Sequence, residues 1–252
     1  MILDLFKTKK NPPQKTTYLF KDEFIDIHSH ILPGLDDGAL DIRDSIEILK
    51  KMRQLGFRNF VFTPHVMNEV WENTSEQIIE RFYELKTAAL QEPDLKDVRM
   101  RVAAEYMLDE YFLELLHRKD LLTIKDNMIL IELSSMAPPL NLFDLIYKIK
   151  IQGYVPILAH PERCISFHKN EGMYCKLKSS GCLFQVNLLS FASYYSKEIQ
   201  NAAMWLLHNN LIDFVGSDVH RLHQAEVIED LTSRSGLVEL LKPIIKNNYQ
   251  LH

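Results

Sequence analysis

The chain has 252 residues, 46% of them hydrophobic and 25% charged, enough for one sizeable apolar core in a single domain. Its formal charge of −5 leaves no basic surplus to hold a phosphate backbone by counterion release, which argues against nucleic acid as a partner. Cys164, Cys175 and Cys182 form no C-x-x-C pair, which argues against a disulfide framework and a thiolate zinc site and for the cytoplasm, and no apolar run approaches the ~20 residues of a membrane span.

Residues 1–23 read as a flexible or docking leader, with residues 24–252 as the domain. Ile2, Leu3, Leu5 and Phe6 precede Lys7, Lys9 and Lys10, the wrong order for a secretory signal, and Asn11-Pro12-Pro13 breaks any helix. Phe24 to His30 then alternates like a strand, so His28 and His30, two apart, share a face and can grip one metal ion. The turn residues Pro33-Gly34 and Asp36-Asp37-Gly38 bring carboxylates back toward them. Ile42, Ile46, Leu49, Met52 and Leu55 recur at helical spacing, stopped by Gly56. Arg58 to Thr63 is the next strand, running into Pro64-His65, and Thr74-Ser75-Glu76-Gln77 is a capping box opening a helix to about Gln91.

Val98 to Ala104 is a third strand ending in Glu105, followed by a helix over about Asp109 to Lys119, and Met128 to Ile131 is a fourth strand ending in Glu132. A helix from about Asn141 to Gln152 stops at Gly153, and strand Val155 to Ala159 ends in His160-Pro161-Glu162-Arg163. Leu183 to Val186 ends at Asn187, a helical face runs through Ile199 to Leu207, and Ile212 to Val215 enters Gly216-Ser217-Asp218-Val219-His220. Seven strands alternating with helices predict a parallel sheet, and ligands at the C-terminal ends of nearly all of them favour a closed or distorted barrel over an open sheet with one switch point.

The strand-end residues are His28, His30, Asp37, His65, Glu105, Glu132, His160, Asp218 and His220. One ion cannot use so many. Two or three divalent ions sharing a bridging carboxylate can, and imidazole with carboxylate suits Mn, Fe or Zn rather than Ca. Four carboxylates against three divalent ions leave about two positive charges, with Arg163 adding another, so such a centre is an anion site. It is suited to hydrolysing a phosphate ester by in-line attack of a metal-bound hydroxide on phosphorus.

These motifs, from Asp26-Ile27-His28-Ser29-His30-Ile31-Leu32-Pro33-Gly34-Leu35-Asp36-Asp37-Gly38-Ala39 through Thr63-Pro64-His65, Glu105 and His160-Pro161-Glu162-Arg163 to Gly216-Ser217-Asp218-Val219-His220, resemble the polymerase-and-histidinol-phosphatase (PHP) superfamily. More narrowly they resemble its bacterial manganese-dependent protein tyrosine phosphatases associated with capsular and exopolysaccharide synthesis. The resemblance implies an α/β fold, a distorted TIM-like (β/α)7 barrel of the PHP type, with a manganese centre at its mouth. It puts His28, His30, Glu105 and Asp218 around one ion and Glu105, His65 and His160 around a second, leaving Asp37, Glu132 and His220 for the rest. It implies a phosphotyrosyl protein as partner, such as a tyrosine kinase of polysaccharide synthesis. Arg163 matches an arginine that clasps phosphate in that family; a second is replaced here by Ala225, with Arg221 as the candidate substitute.

Glu132 has two readings, as a ligand or as a carboxylate that orients a ligating histidine. His117, His168, His208, His223 and His252 lie at no predicted strand end and read as structural, and Cys164 as a packing residue; the Tyr194-Tyr195 pair reads as surface or interface aromatics, with phosphorylation or a place over an incoming ring as alternatives. Two rival functions are a small-molecule phosphatase, such as one for histidinol phosphate, and a non-catalytic protein whose degenerate metal site binds a phosphorylated partner.

Overall fold

A computed structural model describes Phe20, residues 23–192 and residues 194–252. The predicted leader lies almost wholly outside these described residues. The strands are β1 (Ile25–Asp26), β2 (Asn59–Phe62), β3 (His65–Val66), β4 (Arg99–Val102), β5 (Glu105–Met107), β6 (Met128–Glu132), β7 (Val155–Ala159), β8 (Leu183–Asn187) and β9 (Phe214–Gly216). The helices are α1 (Ile42–Gln54), α2 (Ser75–Leu90), α3 (Glu110–Arg118), α4 (Leu142–Ile151), α5 (Gly172–Ser179), α6 (Leu188–Phe191), α7 (Lys197–His208), α8 (Leu222–Thr232) and α9 (Ser235–Asn248).

Every strand pairing in the sheets is parallel, in the orders β1-β2-β4 and β3-β5-β6-β7-β8-β9. Past each of two predicted strands, Arg58 to Thr63 and Val98 to Ala104, the ladder breaks and the chain opens a further short strand. Thr63-Pro64 separates β2 from β3, because proline has no N–H to continue a ladder, and Ala103-Ala104 separates β4 from β5. Each broken strand passes from the smaller sheet to the larger, with the Glu105 N–H donating to Pro64 O at 3.0 Å across the kink. His65 and Glu105 therefore open short strands rather than closing long ones. The ring is completed where Ser29 bridges Val219: the Asp218 N–H donates to His28 O at 2.8 Å and the His30 N–H to Val219 O at 3.0 Å. Nine segments thus occupy seven positions around a distorted barrel.

Strands buried on both faces need apolar residues on both. One set, including Ile25, Ile27, Val61, Leu130, Ile157 and Phe214, packs together with Leu251. The C-terminal turn is fixed there as Arg101 Nη2 donates to Leu251 O at 2.8 Å and the Asn248 amide bonds Ile25 O and Val215 O. The larger core packs the helices onto the outside of the strands, with Ile46, Leu49 and Met52 of α1 buried as their spacing required. The capping box of Thr74 and Gln77 is present at the start of α2. With hydrophobic packing closing that lower end, the opposite end carries the polar residues.

Candidate metal centre

His28 and His30 lie just past β1 on one face, as their period-two spacing requires, and both are fully buried. Their Nε2 atoms are 3.1 Å apart, Glu105 Oε2 is 3.1 and 3.3 Å from them, and Asp218 Oδ1 is 3.3 and 3.4 Å away. Glu105 faces two further imidazoles: His65 Nδ1 is 3.1 Å from Oε2 and His160 Nε2 is 2.9 Å from Oε1. Glu132 Oε1 joins from β6, 2.9 Å from His65 Nδ1. At the open side, His220 Nε2 and His65 Nε2 stand 3.4 and 3.7 Å from Asp37 Oδ1. The structure thus brings all nine expected residues together in overlapping groups that share His28, His30, His65 and Glu105. His160 and Asp218 adopt left-handed backbone, φ 32° and 51°, a conformation that non-glycine residues hold only under tertiary constraint.

The cluster tests its own fitness for cations. His65 Nδ1, Glu105 Oε1, Glu132 Oε1, His160 Nε2 and Asp218 Oδ1 are buried without a hydrogen-bond partner. Four of them face one another in two pairs at 2.9 Å without hydrogen-bond alignment, the arrangement expected of donor atoms that share a cation. Donor atoms about 2.1 Å from a common ion stand roughly 3.0–3.4 Å apart, which is the spacing seen here. No cysteine belongs to the groups, so the donor set is imidazole and carboxylate. Burial alone would lower the His28 pKa, but Glu105 and Asp218 outweigh it and raise it to about 9. Burial likewise opposes ionisation of Glu105 and Asp218, yet the surrounding imidazoles hold both well below the usual carboxylate range. Protons hold such a site together until divalent ions displace them.

Three supporting residues, Asp36, Gln185 and Asn187, have partners that the sequence reading did not assign. Asp36 Oδ2 accepts from His30 Nδ1 at 2.7 Å and from the His65 N–H at 2.9 Å, while Oδ1 takes the Gly38 N–H at 2.8 Å. Gln185 Oε1 is 2.6 Å from His28 Nδ1, fixing that ring. The only advance signal for Gln185 is a polar side chain inside the apolar run Leu183 to Val186. Gly216 makes room for this pair, since a Cβ there would meet His28 Cβ at 2.7 Å and Gln185 Nε2 at 2.9 Å. Asn187 donates to Asp218 Oδ2 and, through its backbone N–H, to Glu162 Oε1. Asp36 is a fifth carboxylate held ionised by His30, so three divalent ions would leave about one positive charge, two with Arg163, whereas two ions with Arg163 would leave the centre about neutral.

The centre opens into a cleft of about 880 Å³ walled by Trp71, Arg163, Tyr194 and Tyr195 among others. Trp71 stacks on His65 with centroids 4.8 Å apart. Arg163 Nη1 sits 3.2 Å from Asp218 Oδ2. Arg221 also borders the cleft, but its Nη1 donates to Gly38 O and lies 4.0 Å from Asp44, tying the start of α8 to the Gly38 turn. Ala225 is wholly buried on α8. Tyr194 and Tyr195 belong to the cleft wall rather than to a plain surface, and so does His223, whose Nε2 pairs with the Tyr194 hydroxyl at 2.8 Å. His168 and His208 pair with backbone carbonyls of Glu162 and Met204, and His252 with that of Glu23. Cys164 is buried at the cleft wall with its thiol pKa pushed up by burial, as a packing residue would be.

Residues 24–228 match the family model described as capsular polysaccharide synthesis, CpsB/CapC. The chain is 33% identical over 203 residues to tyrosine-protein phosphatase YwqE of Bacillus subtilis, covering 79% of this chain and 78% of that protein. It is 31% identical over 206 residues to tyrosine-protein phosphatase CpsB of Streptococcus pneumoniae, covering 79% and 83%. Among solved structures, one from work on the metal-dependent tyrosine phosphatases YwqE and CpsB superposes with a TM-score of 0.72 at 31% identity over 87% of this chain and 94% of that one. The histidinol phosphate phosphatase of Lactococcus lactis, at 12% identity, TM-score 0.54 and 85% and 94% coverage, shares the fold alone.

Proposed function

This chain belongs to the CpsB/CapC family of capsular polysaccharide synthesis, and from that premise we propose that it is a metal-dependent protein-tyrosine phosphatase. The observation that carries the reading is the convergence of orphaned imidazole and carboxylate atoms on Glu105 beside an arginine. His28, His30, Glu105 and Asp218 would hold one divalent ion and Glu105, His65 and His160 a second, with Asp37, Glu132 and His220 completing the site. Manganese is the preferred ion. When bound, the ions supply Lewis acidity toward a phosphoryl oxygen and lower the pKa of water enough for attack on phosphorus at neutral pH.

The chain's own side chains do the rest. Arg163 donates N–H groups to non-bridging phosphoryl oxygens, whose negative charge the positive balance of a three-ion centre matches. Asp36 and Gln185 keep the His30 and His28 rings from turning, so the donors are in place before substrate arrives. Trp71 and Tyr194 give the cleft an aromatic wall compatible with an aryl ester. A phenol leaves with a pKa near 10, so departure needs no dedicated acid. The substrate we propose is a phosphotyrosyl protein, in particular a tyrosine kinase of polysaccharide synthesis, met in the cytoplasm; no helix among the described residues is long and apolar enough to cross a membrane.

Parallel assays on a phosphotyrosyl peptide and on histidinol phosphate, with and without chelator, test the reading. The peptide should be hydrolysed, chelation should abolish turnover, and Mn should restore it. Preference for histidinol phosphate, or tight binding of the peptide without turnover in metal-loaded protein, would overturn it.

A further inference from the structure

Asp218 divides its oxygens between two tasks. Oδ1 faces His28 and His30 and has no hydrogen-bond partner among the described residues. Oδ2 is crowded: Arg163 Nη1 and the Tyr195 hydroxyl both reach it at 3.2 Å, and the Asn187 side chain donates to it as well. The three donors come from the turn after β7, the segment between α6 and α7, and the end of β8, so tertiary structure brings them to one atom.

Tyr195 contributes twice, because its ring also lies against the guanidinium, with Arg163 Cζ 4.9 Å from the ring centroid. An arginine held through a single nitrogen can still swing about its terminal torsions. The Tyr195 ring packed against the guanidinium restricts that freedom, since one N–H is fixed by Asp218 and the ring bounds the group on another side. The Arg163 side chain stays 33% exposed and borders the cleft, which leaves its other N–H groups to an arriving anion. Two other tasks for Tyr195 fit less well. The ring face that meets Arg163 is not free to stack a substrate ring, and the hydroxyl is already spent on Asp218.

We propose that Tyr195 is a positioning residue: its ring and hydroxyl lock the Arg163 guanidinium onto Asp218 in the orientation that presents the remaining N–H groups to a phosphoryl group. This rests on the reading that Arg163 clasps phosphate. The lock is preorganisation, and its loss should show in anion binding as much as in turnover.

The test uses metal-loaded full-length protein with Tyr195→Phe, Tyr195→Leu, Arg163→Ala and the Arg163→Ala/Tyr195→Leu double variant. Inorganic phosphate binding is read by calorimetry, aryl phosphate hydrolysis by steady-state kinetics, and metal content by mass spectrometry. Tyr195→Leu should weaken phosphate binding and lower kcat/KM by on the order of 10-fold with metal content unchanged. Tyr195→Phe, which keeps the ring, should recover most of that loss. In the Arg163→Ala background Tyr195→Leu should add nothing, because the residue it acts through is gone. Additive losses, or metal lost along with activity, would overturn the proposal, as would phosphate binding by Tyr195→Leu equal to the parent. Arg163→Ala with parental phosphate binding would instead overturn the reading of Arg163 itself, and the proposal with it.

Discussion

Replacing Asp36 by asparagine changes one atom of a side chain that points away from the cleft, yet it should weaken metal binding by roughly 10–100-fold, or about 1.4–2.8 kcal/mol. The two carboxylate oxygens accept three donors: Oδ2 takes His30 Nδ1 at 2.7 Å and the His65 N–H at 2.9 Å, and Oδ1 takes the Gly38 N–H at 2.8 Å. An amide offers one oxygen and one NH2. Placed with the oxygen toward His30, its NH2 meets the Gly38 N–H; flipped, it meets the His65 N–H, so a donor faces a donor in either orientation. The residue also loses the negative charge that favours the His30 tautomer with Nε2 directed at Glu105 and Asp218. Competition of metal-loaded protein against a calibrated chelator, with circular dichroism to verify the fold, reads the effect. An Asp36→Asn protein that holds its ions as tightly as the parent would refute the argument that this carboxylate sets the His30 ring.

Arg163→Ala should cost on the order of 10²-fold in turnover while metal content stays at the parental level, measured by steady-state kinetics and mass spectrometry on one preparation. Arg221→Ala should leave KM for an aryl phosphate within about 3-fold of the parent and lower the melting temperature by roughly 2–4 °C for each kcal/mol lost with the clip to Gly38, since its guanidinium is committed there; a large rise in KM would return it to the phosphate site. In metal-stripped protein the His28 pKa rises from 6.5 to about 9, so His28 contributes stability that is complete below pH 6.5 and disappears as pH rises through 9. Asp26, raised by burial from 3.8 to about 6, has the same sign, but its contribution is lost between those values, below the His28 window of pH 6.5 to 9. The melting temperature of the stripped protein should therefore fall across that window, and loading with Mn should remove the His28 part of the decline; a flat profile in the stripped protein would contradict the assignment.

The clustered imidazoles and carboxylates were legible because their signals are local. His28 and His30 share a face by strand period alone, and His160 and Asp218 follow apolar runs too short to be anything but buried strands. The capping box at Thr74 was readable for the same reason. The breaks that put His65 and Glu105 at the start of new strands were not, because a ladder interruption at Ala103-Ala104 depends on which sheet each half joins. Asp36 and Asp37 show how far spacing reaches: a turn with two carboxylates was evident, but only the folded chain decides that Asp36 lies behind His30 while Asp37 faces the open side. Gln185, Tyr195 and His223 act through partners more than 20 residues away, and no local pattern announces them. Ala225, where the resemblance implies an arginine, was visible in the sequence, but its burial in the core was not.

The most direct measurement is the metal content of the protein, determined by mass spectrometry after purification without chelator or added metal, beside its activity on a phosphotyrosyl peptide. Two or three divalent ions per chain, predominantly Mn, with activity that disappears when they are removed, is the result predicted from the donors around Glu105. Full phosphatase activity in protein exhaustively stripped of metal would contradict it.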